Sequence, residues 1–227
     1  MRTVIFDLDG TLADTSGDLL AAANSCFDAM GLDVRLDPRS DAGVALRGGR
    51  AMLTLGLERE TGQAADPAVL DAQYPNLLRA YEGAIDVHTQ LYPRAMDAVE
   101  QLRSDGFAVG ICTNKPESLA EILMQKLGVR DVFGSLIGAD TLPVRKPDPE
   151  PFFEAVRRAG GNPKRSCLIG DTITDHSTAR AAGVPSVLVT FGPGAGAGQA
   201  DIRALEPDAL LDHFDELPAL AARLLGA

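Results

Sequence analysis

The pattern that most constrains this chain is a series of short apolar runs, each halted by a polar residue or glycine. Thr3-Val4-Ile5-Phe6 halts at Asp7, and the run 107–112 halts at Thr113-Asn114. Ser135-Leu136-Ile137 halts at Gly138, Cys167-Leu168-Ile169 at Gly170-Asp171, and Ser186-Val187-Leu188-Val189 at Thr190. Runs of Val, Ile and Leu without alternation bury both faces, so they predict strands of a parallel sheet covered by helices. Amphipathic stretches at 95–103, 117–127 and 151–159 lie between them, closed by Gly106, Gly128 and Gly160. The order is that of βαβ units.

One interruption breaks the series. From about residue 15 to 88 the apolar positions keep a helical repeat, as in Leu19, Leu20, Ala23, Phe27 and Met30, then Leu70, Tyr74, Leu77 and Tyr81, with no convincing strand. This predicts an α/β core made of residues 1–14 and 90–227, with an all-α helical cap inserted at 15–89. A length of 227 residues suits one to two domains.

Charge and cysteine usage narrow the function. With 21 Lys and Arg against 32 Asp and Glu, the net charge is −11. That argues against nucleic acid, which is bound through clustered cations, and against an anionic membrane surface. No apolar run nears the ~18 residues that span a bilayer. Nor does an apolar signal segment follow Met1-Arg2. Cys26, Cys112 and Cys167 lie far apart with no CxxC pair, as expected of structural thiols in a reducing compartment. A cytoplasmic protein is expected, either a monomer or a homodimer.

In open α/β sheets, ligands bind beyond the carboxyl ends of the strands. Asp7, Asp9, Thr113, Asn114 and Asp171 occupy those ends, and Lys146 lies in the loop after the third strand. Asp7 and Asp9, two apart on extended chain, face one side, and Gly10 lets the chain turn. Asp171 and Asp175 bring two more acids from a loop entering a helix. Four carboxylates at one sheet edge repel each other, and a hard divalent cation resolves the repulsion. The expected cofactor is Mg²⁺, held by Asp7, Asp171 and the Asp9 backbone carbonyl, with Asp175 binding directly or through its neighbours.

Such a site suits phosphoryl transfer. Asp7 attacks phosphorus and forms an aspartyl-phosphate, while Asp9 protonates the leaving oxygen and later deprotonates water. The Thr113 hydroxyl and Asn114 N–H hold phosphoryl oxygens near a helix start, and Lys146 adds positive charge. Asp18 reads as half of a capping box with Thr15 rather than as a catalytic group.

These residues resemble the haloacid dehalogenase superfamily. The motifs are Asp7-Leu8-Asp9-Gly10-Thr11-Leu12 followed by Asp14, then Thr113-Asn114, then Lys146-Pro147, then Gly170-Asp171 with Asp175. The resemblance spans nearly the whole chain. It implies a Rossmann-like parallel sheet with an inserted helical cap, Mg²⁺ dependence and an aspartyl-phosphate intermediate. Within the superfamily the chain is most similar to the phosphoglycolate phosphatase family, through Asp14-Thr15-Ser16-Gly17-Asp18-Leu19, Thr113-Asn114-Lys115-Pro116 and Arg145-Lys146-Pro147-Asp148-Pro149-Glu150-Pro151-Phe152. It departs at Thr172, where serine is usual, and at the glycine-rich segment 192–198. The implied substrate is a small anionic phosphomonoester, 2-phosphoglycolate first.

Other readings stand beside this one. A sugar-phosphate phosphatase or a pyrophosphatase shares the same motifs. A phosphomutase would use cap His and Lys, yet the cap has no lysine and only His88 lies near it. A non-catalytic phosphate-binding scaffold would not need both Asp7 and Asp9. A dinucleotide loop at 194–198 lacks the GxGxxG spacing. A serine hydrolase lacks GxSxG, and His176 and His213 have no evident nucleophile partner. For the substrate's carboxylate the best cap candidates are Arg47 and Arg50, since Gly48 and Gly49 let backbone approach and arginine can grip a carboxylate.

Overall fold

Because β-rich runs alternate with helical ones, the chain builds its sheet from pieces far apart in sequence. The structure, a computed structural model, describes residues 1–192 and 202–226. It starts with β1 (Thr3–Phe6) and β2 (Ala13–Asp14), then runs through four helices, α1 (Ser16–Ala29), α2 (Pro38–Ala45), α3 (Gly49–Thr61) and α4 (Pro67–Gly83). β3 (Gln90–Leu91) and α5 (Ala95–Ser104) lead into β4 (Ala108–Cys112), α6 (Glu117–Lys126), β5 (Leu136–Ile137) and α7 (Glu150–Arg158). β6 (Ser166–Gly170), α8 (Ile173–Ala182), β7 (Ser186–Val189), β8 (Ala209–Leu211) and α9 (Leu217–Leu225) complete it. The chain divides into a core unit, Met1–Ala13 with Leu91–Ala227, and a cap unit, Asp14–Gln90.

In the core unit six strands form one sheet in the order β5-β4-β1-β6-β7-β8, every pair parallel. β1 lies inside the sheet, with Ile5 opposite Gly110 on one side and Leu168 on the other. Its four residues are all buried, as are those of β4 and β6, which explains why these runs carry no polar alternation. From β1 the chain first builds outward through β4 and β5, then returns to the other side for β6, β7 and β8. The order therefore reverses at β1, and its carboxyl end is the place such folds reserve for ligands.

β8 and α9 lie beyond what the sequence pattern predicts. Ala209-Leu210-Leu211 is only three residues long and forms the sheet's edge. Too few positions exist there for any periodicity to show.

The cap unit is helical. Phe27, Met52, Leu53, Leu77, Tyr81 and Ile85 are buried within it. Proline opens α2 and α4, and the side chains of Asp37 and Asp66 accept from the N–H groups of Arg39 and Ala68 to cap them. Asp41, buried on α2, takes two hydrogen bonds of 2.7 Å from Arg59 on α3.

Asp18 corrects the expected capping box. Thr15 makes no side-chain cap bond, and the Asp18 carboxylate turns instead toward the end of the cap unit. It accepts from the N–H of His88 at 2.9 Å, the N–H of Thr89 at 2.9 Å and the Thr89 hydroxyl at 2.8 Å. A capping side chain must compete with any other donors within reach, and three donors outweigh one. The three cysteines are free and buried, and burial pushes the thiols of Cys112 and Cys167 up to about 12. Among the described residues no helix is long and apolar enough to cross a membrane.

Candidate active site

The site grows from the end of β1. The Asp7 N–H donates to the Ile169 carbonyl at 2.8 Å, which carries the β1–β6 ladder one residue past the strand and fixes where Asp7 emerges. Leu8 is buried, and its carbonyl accepts from Leu12 and Ala13, folding the next residues into a tight turn. Gly10 holds φ 82 there, a left-handed conformation that costs a side-chain-bearing residue energy. Thr11, inside this turn, donates from its hydroxyl to Asp171 Oδ1 at 3.1 Å.

At the end of β6, Gly170 is required by what packs on it. A Cβ there would lie 2.2 Å from the Cβ of Asp175. Asp175 sits in the first turn of α8 and folds back across the glycine. Its Oδ2 accepts from Thr172 Oγ1 at 2.7 Å, Thr172 N at 3.1 Å and Asp171 N at 3.3 Å. Its Oδ1 accepts from Lys146 Nζ at 2.6 Å. Lys146 Nζ also lies 3.0 Å from Asp7 Oδ1, an ion pair.

Asp7, Asp171 and Asp175 each present a carboxylate oxygen, and these atoms all lie within 4.8 Å of one another. Burial raises the Asp7 carboxyl to about 6; the charges of Asp175 and Asp9 push the same way, and Lys146 opposes them. Asp171 is raised well above the usual carboxylate range, by burial first and then by Asp175 and Asp7. For Lys146, burial alone favours the neutral amine, but the charges of Asp175 and Asp7 together outweigh it and hold the proton more firmly than usual.

Lys146 contacts two of the three buried acids, Asp7 and Asp175, and Asp171 Oδ2 is buried with no hydrogen-bond partner among the described residues. An all-carboxylate donor set with an unsatisfied oxygen suits a hard divalent cation. The cluster could therefore hold a metal ion.

Beyond β4, the Thr113 N–H donates to the Ile137 carbonyl at 2.9 Å, and its buried hydroxyl accepts from Lys115 N at 3.2 Å. Asn114 is exposed, and its amide donates to the Lys146 carbonyl at 3.0 Å, tying together the two loops that carry Thr113 and Lys146. Lys115, buried, reaches both oxygens of Asp9, at 2.8 and 3.0 Å. The structure thus gathers Asp7, Asp9, Thr113, Asn114, Lys146, Asp171 and Asp175 around the carboxyl ends of β1, β4 and β6.

Two contributors escaped the sequence reading, Thr11 and Lys115. Both stand two residues beyond a residue already singled out, Asp9 and Thr113, and that spacing was the available signal. Arg47 and Arg50 belong to the cap unit. Both are exposed; Arg50 is paired with Asp71 and lies 5.3 Å from the Tyr74 ring. His176 does have a partner, contrary to expectation, since its Nδ1 lies 3.1 Å from Ser186 Oγ. Ser186 is buried within β7, and the site gathers around the ends of β1, β4 and β6 instead. Of the glycine-rich segment, 193–198 lies outside the described residues.

Comparison with known proteins agrees with this geometry. A family model described as haloacid dehalogenase-like hydrolase matches residues 1–183. A phosphoglycolate phosphatase of Mesorhizobium japonicum is 37% identical over 230 residues, covering 99% of this chain and 96% of that protein. Another from Caulobacter vibrioides is 35% identical over 234 residues, covering 98% and 92%. Among solved structures, one from Haemophilus somnus described as a predicted phosphoglycolate phosphatase aligns with a TM-score of 0.84 at 23% identity, over 97% of each chain, a likeness of fold. Joined to a six-stranded parallel sheet in which β1 and β6 end in these acids, the family match over most of the chain means that it belongs to the haloacid dehalogenase-like hydrolases.

Proposed function

We propose that this hydrolase releases phosphate from a small phosphomonoester, 2-phosphoglycolate, through a covalent phosphate on Asp7. The observation that carries the reading is the meeting of Asp7 with Asp171, Asp175 and Lys146 at the end of β1. The names of the relatives at 35–37% identity support the substrate.

Asp7 attacks phosphorus with one carboxylate oxygen, and the ester bond breaks. Asp9 gives its proton to the departing oxygen, so glycolate leaves as the alcohol. A water molecule then attacks the phosphorus on Asp7, its proton passes to Asp9, and inorganic phosphate is freed. The Thr113 hydroxyl and Asn114 N–H hold the phosphoryl oxygens, and Lys146 offsets their charge.

Asp7, Asp171 and Asp175, with the Asp9 carbonyl, would hold Mg²⁺, which supplies the positive charge that lets a phosphate dianion approach three acids. In the cap, Arg47 and Arg50 are the candidates to grip the substrate's carboxylate, Arg50 by exchanging Asp71 for it.

The test is phosphate release with Mg²⁺ from 2-phosphoglycolate, pyrophosphate and several sugar phosphates at equal concentration. A tenfold or larger lead for 2-phosphoglycolate is expected, about 1.4 kcal/mol of discrimination. Asp7→Asn should abolish turnover of every substrate. A flat profile would overturn the substrate, and an active Asp7→Asn the nucleophile.

A further inference from the structure

We propose that Lys115 reads the substrate's carboxylate, and so selects phosphomonoesters that carry an acid one carbon from the ester oxygen. The inference rests on 2-phosphoglycolate being the substrate and on Asp9 protonating its ester oxygen.

Lys115 is an unusual lysine. Its side chain is 3% exposed, and Nζ contacts both oxygens of Asp9 at 2.8 and 3.0 Å. Its backbone is held from both sides, its N–H by the Thr113 hydroxyl at 3.2 Å and its carbonyl by the Ala139 N–H at 2.9 Å. Only the side chain is left to adjust. Withdrawing an ammonium from water is costly, and a surface lysine could have served a purely structural pair.

The chemistry of the leaving group explains the placement. In 2-phosphoglycolate one methylene joins the ester oxygen to the carboxylate, so ordinary bond lengths keep the two within about 3 Å. When the ester oxygen lies in hydrogen-bonding reach of Asp9, the carboxylate falls within reach of the ammonium that already grips Asp9. An ammonium carries three donors, enough to bridge two carboxylates. The substrate's acid would then share the Lys115 ammonium with Asp9. An alkyl phosphate has no carboxylate to place there. The two lysines then divide the work: Lys146 serves the phosphoryl side beside Asp7, and Lys115 the leaving-group side beside Asp9.

The test measures kcat/KM with Mg²⁺ for 2-phosphoglycolate and for ethyl phosphate, which lacks the carboxylate, in the unaltered protein, Lys115→Met and Lys115→Gln. Thermal melting of each variant confirms folding, and the polar Gln variant serves if Met does not fold. The unaltered protein should prefer 2-phosphoglycolate, and each folded variant should lose about 30-fold or more of that preference, the scale of one charge-assisted hydrogen bond. Equal losses on both substrates would overturn the proposal, because Lys115 would then act only through Asp9. An unaltered protein without preference would overturn the substrate reading itself, and this inference with it.

Discussion

Lys146 Nζ donates to Asp175 Oδ1 at 2.6 Å, with both side chains almost wholly withdrawn from solvent. The same ammonium pairs with Asp7, so one cation offsets acids from β1 and α8 at once. Removing it leaves buried like charges facing each other. Lys146→Met should therefore lower the stability of the metal-free protein at pH 8 by about 3–5 kcal/mol, the scale of a broken buried ion pair. Urea unfolding in EDTA measures this. Added Mg²⁺ should recover part of the loss, whereas phosphatase turnover should stay at least about 100-fold down. A variant as stable as the parent would mean that the acids were compensated by other groups.

The raised Asp7 carboxyl makes stability depend on pH in a defined direction. Burial lifts it to about 6, above the ordinary aspartate range, so the folded state holds the proton more tightly than the unfolded chain does. Stability from this group is greatest below about pH 4, falls as pH rises toward 6, and stays low above that. A rise of this size costs the charged form on the order of 3 kcal/mol on folding. In the absence of metal, Asp7→Asn should thus be more stable than the parent at pH 8 by an amount of that order, with the difference fading toward pH 4. Paired urea titrations in EDTA at several pH values check it, and a gap that widened on acidification would reverse the sign.

Gly170 and Asp175 form a packing pair that is sensitive to a single methyl group. A Cβ on Gly170 would come 2.2 Å from Cβ and 2.3 Å from Cγ of Asp175, atoms too near the backbone to swing away. Gly170→Ala should displace the carboxylate that caps α8 and joins the acidic cluster. Calorimetry should show Mg²⁺ binding weakened tenfold or more, the usual scale for a disturbed ligand support. Unchanged affinity would remove Asp175 from any part in holding the ion.

How much of this was legible in the sequence follows from how local each signal is. The parallel sheet was, because Thr3-Val4-Ile5-Phe6 and Cys167-Leu168-Ile169 carry their burial on both faces within a few residues. The clustering of Asp7 with Asp171 was too, since acids at the ends of adjacent strands must meet. Contacts chosen by competition were not. Asp18 had a plausible partner three residues away and took donors seventy residues on, which no spacing rule ranks. Lys115 appears in the sequence only within Thr113-Asn114-Lys115-Pro116, and its reach to Asp9 depends on how β4 lies beside β1. The edge strand β8 is set by pairing to β7 rather than by its own three residues.

Asp18 supplies the last prediction. It is 2% exposed and accepts from two backbone N–H groups and one hydroxyl of His88 and Thr89. Gly17 beside it is pressed close as well, since a Cβ there would meet the His88 Cβ at 2.9 Å. The start of α1 and the segment at 88–89 are therefore fastened to each other inside the cap unit. Asp18→Ala strands the buried Thr89 N–H and the part-buried His88 N–H, and a buried donor costs about 1–3 kcal/mol when left unmade. A loss of roughly 3 kcal/mol in unfolding free energy is expected. Asp18→Asn, which keeps an acceptor oxygen of the same shape, should lose less. Hydrogen exchange adds the local readout: the His88 and Thr89 amides should exchange faster in Asp18→Ala, beyond what the global loss predicts, while the amides of β1 and β6 follow global unfolding alone. If the two amides kept their protection, the carboxylate would not be what holds this end of the cap.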